Sequence, residues 1–184
     1  TEGWAEGLKH GLALDKSLLE SFEKNASALK KLDLDVTTKL IKHSISIKAQ
    51  KVTEDEFEKL GKRILLNYGH TIGHAIESIT NYSSYLHGEA VSIGMMAAGH
   101  ISLAKNLLSS DDLIRQETLL KTFNLPIQFE NISIDNIKDR IVSDKKRTRG
   151  KVHWVLLKDI GSAMTNSEVT DSEITQALKN VSSV

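Results

Sequence analysis

The chain has 184 residues, 40% of them hydrophobic and 26% charged, which is enough for one ordinary globular domain with a real core. A formal net charge of zero argues against nucleic acid or a membrane surface as a partner, and the lack of bilayer-length apolar runs and of a visible signal peptide predicts a cytoplasmic protein. Because there is no cysteine, disulfides and thiolate chemistry are excluded, and any metal must be held by His, Asp or Glu.

The first part of the chain is predicted to be helical. Residues 3–11 form a helix in which Glu6, Lys9 and His10 share a polar face beside apolar neighbours. Asp15 is the candidate N-cap of a second helix, because its short side chain can accept a hydrogen bond from the first free N–H groups. A scarcity of proline, and of glycine outside the motifs, favours helix over strand here.

Helical patterning continues through the middle of the chain. Asp35 is the candidate start of a third helix. The nearly all-apolar run at residues 90–108 predicts a helix buried in the core, where the methionines serve packing. Residues 110–123 are predicted to form a helix that ends before Pro126, and residues 134–142 a short one.

The C-terminal part holds the one convincing strand, residues 152–157, which are rich in β-branched and aromatic side chains. Thr170 and Glu173 have the spacing of a capping box at the start of a last helix. No internal repeat or linker is visible. The expected fold is therefore one mainly α domain, residues 1–184, with a minor β element.

Histidines and acids concentrate in one short stretch. In a helix that begins near residue 70, His70, His74 and Glu77 stand at i, i+4 and i+7 on one face, and His87 and Glu89 follow closely. Such side chains suit a divalent metal such as zinc, whose catalytic sites commonly have three protein ligands. Spacing does not select three of the five, and a polar helix face with hydrogen-bonded histidines is the alternative. The internal Glu of a zinc-protease HExxH motif is absent, which argues against a protease.

Cationic side chains form a second feature. Arg63 precedes the histidine stretch on a predicted helix or turn, and an Arg beside a metal can hold a carboxylate or phosphate by two hydrogen bonds. Residues 144–147, Asp-Lys-Lys-Arg, are predicted to form a mobile basic loop that closes over an anionic substrate, with a solvated surface as the alternative. No GxGxxG motif follows a strand, so most of any nucleotide site is expected elsewhere.

Taken together, these motifs resemble the C-terminal domain of the 3-dehydroquinate synthase family, within the sugar-phosphate cyclases. Residues 4–11 are similar to the family's G-x-A-E-x-x-K-x-G, and residues 66–77, 86–91 and 144–146 match its later motifs. The resemblance covers nearly the whole chain, and its central motif is long and specific.

The resemblance implies a metal ion, zinc or cobalt, held by Glu6, His70 and His87. It also implies a set of substrate contacts. Those assigned to catalysis are His74, Lys9, Arg63 and Asn67, and those assigned to substrate binding are Lys48 and one of Lys145 and Lys146.

The implied reaction is the cyclisation of 3-deoxy-D-arabino-heptulosonate 7-phosphate to 3-dehydroquinate with loss of phosphate, a lyase step of the shikimate pathway to aromatic amino acids that uses NAD and the metal. In this family an N-terminal α/β domain binds NAD across a cleft, and we expect it to lie outside this chain, which does not begin with Met. The full-length protein is expected to be a homodimer, and the isolated chain to fold without catalysing.

Three alternatives remain open from the sequence. Other sugar-phosphate cyclases that make inosose or valiolone products share the metal motif. Metal-dependent polyol dehydrogenases share the two-domain plan. A non-enzymatic metal-binding or scaffold role is the third.

Overall fold

The structure, a computed structural model, describes residues 2–57, 59–147 and 152–183, without the side chains of residues 144–147. Within that part, eight α-helices, one 3₁₀ helix and one antiparallel hairpin form the regular structure, which confirms a mainly α fold with a minor β element. In chain order the elements are α1 (Glu2–Leu14), α2 (Lys16–Lys30), α3 (Leu34–Glu54), the 3₁₀ helix (Arg63–Asn67), α4 (His70–Ile79), α5 (His87–Ala104), α6 (Ser110–Thr122), α7 (Ile134–Arg147), β1 (Trp154–Asp159), β2 (Ser162–Asn166) and α8 (Asp171–Asn180).

Helix α5 lies at the centre of the core, as its apolar sequence predicts. Its side chains are buried along most of its length, and α1, α4, α6, α8 and β1 pack around it. The predicted helix, residues 90–108, starts and ends later in the chain than the observed helix, His87–Ala104. The helix begins earlier because the Glu89 carboxylate accepts a hydrogen bond from the Leu86 N–H (2.9 Å), and it ends earlier because Asn106 adopts a positive φ of 55°.

Helices α2 and α3 begin at side-chain caps. Asp15 accepts hydrogen bonds from the N–H groups of Ser17 (2.9 Å) and Leu18 (3.2 Å), which confirms the predicted cap of α2. The predicted start of α3 at Asp35 is wrong. The cap is Asp33, whose carboxylate accepts from the Val36 N–H at 3.0 Å, and Asp35 lies inside the first turn, where an acid also suits the helix dipole.

The C-terminal segment contains a second strand that the sequence does not predict. The sequence predicts β1, but its partner β2 is only partly buried and lacks the β-branched and aromatic residues typical of a strand. The hairpin turns at Gly161, which has a φ of 81°. The capping box of Thr170 and Glu173 at the start of α8 is confirmed.

Helix α7 is longer than predicted. Its backbone continues past Val142 to Arg147, so residues 144–147 are helical in backbone and not the expected loop. Lys and Arg are good helix formers, and no glycine or proline interrupts the segment before Gly150. Among the described residues, no helix has the length and apolar character needed to cross a lipid bilayer.

Candidate metal centre

The centre is formed where α4 and α5 approach within backbone contact. Gly69, which precedes α4, has a φ of 82°, and a Cβ added at Gly94 of α5 would overlap the Gly69 carbonyl oxygen. Because neither position leaves room for a side chain, the two helices pack closely. This packing sets His70 and His74 on α4 beside His87, the first residue of α5.

Three imidazoles therefore cluster at one edge of the molecule. The ring centroids of His70 and His87 lie 5.4 Å apart, those of His70 and His74 5.1 Å, and those of His74 and His87 5.8 Å. Glu6 reaches the cluster from α1, with its Oε1 atom 3.9 Å from His70 Nε2. Potential ligand atoms of Glu6, His70 and His87 all lie within 4.8 Å of one another.

The proton positions of two imidazoles suit metal binding. His70 Nδ1 lies 3.3 Å from the Tyr68 carbonyl oxygen, and His87 Nδ1 lies 3.0 Å from Glu77 Oε1. Both partners accept a hydrogen bond, so each Nδ1 carries a proton and Nε2 is the nitrogen left to bind a metal. This is the arrangement usual for histidines that bind metal through Nε2.

The charge state of the cluster also suits a cation. Burial, reinforced by the positive charge of Lys9, lowers the pKa of His70 to about 4, so this imidazole is neutral at pH 7. With His70, His87 and the Glu6 carboxylate, the donor set is two nitrogens and one oxygen. That set, with room for further ligands at an exposed edge, fits zinc or cobalt.

A second group, His74, Glu77 and His87, also brings its polar atoms within 4.8 Å of one another. Here Glu77 Oε2 lies 2.8 Å from His74 Nδ1, and its other oxygen contacts His87. These are distances of charge-assisted hydrogen bonds, and the Glu77 side chain is only 6% exposed. The first group is the better metal site because its carboxylate is more accessible.

Lys9 lies beside the cluster and is paired with Glu6. Its Nζ atom donates to both carboxylate oxygens of Glu6, at 2.7 and 2.9 Å. Burial acts to raise the pKa of Glu6, but the charge and hydrogen bonds of Lys9 outweigh it and the pKa is lowered. Burial also lowers the pKa of Lys9, against the opposing effect of Glu6.

The polar face predicted for α1 is buried. Lys9 and His10 have only 2% and 3% of their surface exposed, because α3 covers this side of α1. His10 Nδ1 lies 2.7 Å from Ser44 Oγ on α3, and burial, with the charge of Lys9, lowers the pKa of His10 to about 4. A helical wheel cannot distinguish a solvated polar face from one covered by another helix.

A buried carboxylate orders the segment that carries Arg63. Asp55 accepts backbone hydrogen bonds from Leu60 (2.9 Å), Lys62 (2.8 Å) and Arg63 (3.2 Å). These bonds, led by that from Leu60, lower the pKa of Asp55 despite its burial. Arg63 and Asn67 begin and end the 3₁₀ helix that leads into α4.

The remaining predicted residues are only partly placed. Lys48 is exposed on α3, and its charge contributes to lowering the pKa values of Lys9 and His10. The side chains of Lys145 and Lys146 lie outside the described residues, although their backbone belongs to α7, which packs against α4.

Sequence reasoning missed the bridging position of Glu77 and the support from Asp55. The spacing of His74 and Glu77 was a usable signal for one bond, since i and i+3 are neighbours on a helix. The contact of Glu77 with His87 depends on the turn between α4 and α5, for which the sequence offers no such rule.

In sequence, the chain is similar to known proteins over most of its length. Residues 3–147 match the family model described as 3-dehydroquinate synthase C-terminal. The 3-dehydroquinate synthase of Prochlorococcus marinus strain AS9601 is 41% identical over 172 residues, which is 92% of this chain and 47% of that protein. The chain thus spans about half the length of the curated relatives it matches.

Two solved structures share the fold closely. A 2-epi-5-epi-valiolone synthase from Streptomyces hygroscopicus subsp. jinggangensis, with NAD+ and Zn2+ bound, is 25% identical with a TM-score of 0.88, covering 98% of this chain and 50% of that one. A 2-deoxy-scyllo-inosose synthase complexed with carbaglucose-6-phosphate, NAD+ and Co2+ is 27% identical with a TM-score of 0.77, covering 98% and 52%.

Proposed function

This chain belongs to the 3-dehydroquinate synthase family, and from that premise we propose that it carries the metal- and substrate-binding part of an enzyme that forms 3-dehydroquinate. The reaction is the cyclisation of 3-deoxy-D-arabino-heptulosonate 7-phosphate with loss of phosphate, a lyase step of aromatic amino-acid biosynthesis. The observation that supports it most is the convergence of Glu6, His70 and His87 from three separate helices, with the Nδ1 atom of each imidazole facing a hydrogen-bond acceptor.

Glu6, His70 and His87 hold the divalent ion in this proposal. When bound there, zinc or cobalt supplies a positive centre that polarises a substrate hydroxyl and the carbonyl derived from it. Lys9 keeps the Glu6 carboxylate oriented and adds positive charge to the same wall of the site. That charge favours an anionic substrate.

The cations and the third histidine contact the substrate. Arg63 and Lys48 bind its carboxylate and phosphate groups, together with Lys145 or Lys146, while Asn67 offers hydrogen bonds from the entrance to α4. His74 is 56% exposed at the edge of the cluster, and its Nδ1 is engaged by Glu77. Its Nε2 atom is thus the one available to contact a phosphate oxygen or to accept a proton.

We place most of the NAD site outside residues 1–184. The described residues form a sheet of only two antiparallel strands, whereas dinucleotide sites are commonly built on a parallel sheet. We further propose that residues 1–184 form one helical domain, that the full-length protein is a cytoplasmic homodimer, and that this chain alone is inactive. Whether this chain alone is active is tested by assaying phosphate release.

The test is to assay the full-length protein for phosphate release with NAD and Zn2+ or Co2+. The expected result is turnover of 3-deoxy-D-arabino-heptulosonate 7-phosphate to 3-dehydroquinate, with no phosphate released by residues 1–184 alone. Turnover by the isolated chain at the rate of the full-length protein would show that the nucleotide site lies within it.

A second candidate function is a cyclase of the inosose or valiolone type, favoured by the TM-score of 0.88 to a valiolone synthase. The higher identity to 3-dehydroquinate synthases, 41%, supports the first candidate. The two differ in the substrate carboxylate. An enzyme that turns over a sugar phosphate lacking a carboxylate, and not the heptulosonate, belongs to the second class.

A further inference from the structure

Glu77 is a buried carboxylate with both oxygens engaged by histidines. Its Oε2 atom lies 2.8 Å from His74 Nδ1 and its Oε1 atom 3.0 Å from His87 Nδ1, and the side chain is 6% exposed. Both distances are those of N–H···O hydrogen bonds, so one buried carboxylate bridges the two imidazoles.

An ionised carboxylate can only accept hydrogen bonds. Both histidines must consequently carry a proton on Nδ1, so that Nε2 is the nitrogen that holds the lone pair of each neutral ring. On His87 that lone pair belongs to the proposed metal cluster, and on His74 it belongs to the exposed edge. On His87 the opposite tautomer would place a proton where Nε2 has to bind the metal.

Helix α4 and the turn that follows it bring His74 and His87 to Glu77. His74 and Glu77 are neighbours at i and i+3 on α4. His87 returns to them through a tight turn in which the Tyr82 N–H donates to the Glu77 carbonyl oxygen at 2.8 Å, and Asn81 and Tyr82 both adopt positive φ values. A strained turn anchored on Glu77 itself thus delivers the second imidazole.

We propose that Glu77 is a positioning residue that fixes the tautomer and ring orientation of His74 and His87 at once. One carboxylate thereby prepares both a metal ligand and a substrate-facing group. The roles of the two histidines rest on the proposed function, but the tautomers depend only on the hydrogen bonds.

The decisive variant is Glu77→Gln, which preserves size and removes one acceptor. A glutamine offers its carbonyl oxygen to one imidazole and its NH2 group to the other, so the second Nδ1 must become an acceptor and its proton moves to Nε2. In the metal-free protein, 15N chemical shifts of the histidine rings should show both His74 and His87 protonated on Nδ1 in the wild type. In Glu77→Gln one of them should be protonated on Nε2.

Metal affinity gives a second readout. In competition titrations of the protein with Zn2+ against a chelator, Glu77→Gln should weaken binding by about 10- to 100-fold, the range seen when an outer hydrogen-bond partner of a ligand is lost. Glu77→Asp retains the charge but is one methylene shorter and reaches at most one imidazole. It should lose affinity to an intermediate extent and serves if Glu77→Gln does not fold.

The matched control is Glu89→Gln. It neutralises a carboxylate near the same end of α5 whose hydrogen bond goes to the Leu86 backbone, which glutamine can still satisfy. Ring tautomers and Zn2+ affinity should remain those of the wild type.

The possible failures are distinguishable. Wild-type rings protonated on Nε2, or unchanged tautomers in Glu77→Gln, would overturn the positioning role of Glu77. Wild-type protein with the expected tautomers but no affinity for Zn2+ would instead overturn the proposed function and leave the positioning role standing.

Discussion

Two polar regions of this molecule contain the same residue types and differ in environment. On α1, Lys9 and His10 are buried; Lys9 pairs with Glu6 and His10 Nδ1 with Ser44, while His10 Nε2 has no hydrogen-bond partner among the described residues. Within α4 and at the start of α5, the side chains of His74 and His87 are 56% and 44% exposed, with Nδ1 of each ring bonded to Glu77 and Nε2 on the other side of the ring. The first region is covered by the protein itself, whereas the second leaves two imidazoles accessible to a ligand.

The largest expected effect is a loss of metal binding when a proposed ligand is replaced. Glu6→Gln, His70→Ala and His87→Ala should each weaken Zn2+ binding by more than about 100-fold, since losing a ligand costs more than losing its outer partner. Chelator competition followed by metal analysis measures the loss. Full occupancy in any one variant would remove that residue from the ligand set.

His74→Ala separates the two exposed imidazoles. In the full-length protein, turnover should fall by at least about 100-fold, the usual contribution of a positioned acid or base, while Zn2+ affinity changes little. Steady-state phosphate release and metal analysis on the same preparation make the comparison. If the metal is lost with the activity, His74 is a ligand, and the group formed by His74, Glu77 and His87 is the metal site.

Lys9→Met tests whether the buried region is stabilised internally. Removing the ammonium leaves the Glu6 carboxylate without its counter-charge, and we expect a loss of about 3 kcal/mol in the free energy of unfolding, at the low end for a broken buried pair because Glu6 is partly exposed. Urea unfolding of the metal-free protein measures it. Saturating Zn2+ should recover more stability in the variant than in the wild type. Equal recovery would mean that the ion does not bind at Glu6.

The smallest effect concerns pH and His10. Because its pKa is about 4 in the folded protein and near 6.5 when unfolded, the unfolded state binds the proton more readily, and stability is lost as pH falls through this window. Compared with His10→Gln, the wild type should lose about 2 kcal/mol more between about pH 6.5 and 4.5. Urea midpoints across that range give the difference. A constant difference would mean that His10 is not buried in its neutral form.

Local features of this fold were predictable where one residue acts on its own backbone. Asp15 and the Thr170–Glu173 pair were identified because a cap lies within three residues of the groups it satisfies. The choice of Asp35 in place of Asp33 failed because two acids of equal capping ability stand two residues apart. The strand β2 was missed since pairing with β1, and not its own composition, makes it a strand.

The candidate site was predictable in part for the same reason. His70 and His74 share a helix face by spacing alone, but the distance of Glu6 from them depends on how α1 packs, and only the family resemblance pointed to it. The structure brings Glu6, His70 and His87 together, and their role as metal ligands stays a prediction. Burial of Lys9 and His10 was invisible because it depends on α3, which no pattern on α1 encodes.

The contact between Gly69 and Gly94 restricts the substitutions that the site tolerates. Because backbone meets backbone there, the spacing between the α4 histidines and His87 is independent of any side-chain rotamer. A methyl group at either glycine would push α4 and α5 apart and widen the spacing of the histidines, although it would contact none of the proposed ligands. In a saturation mutagenesis screen, these two positions should therefore be as intolerant as the histidines themselves, and for a purely geometric reason.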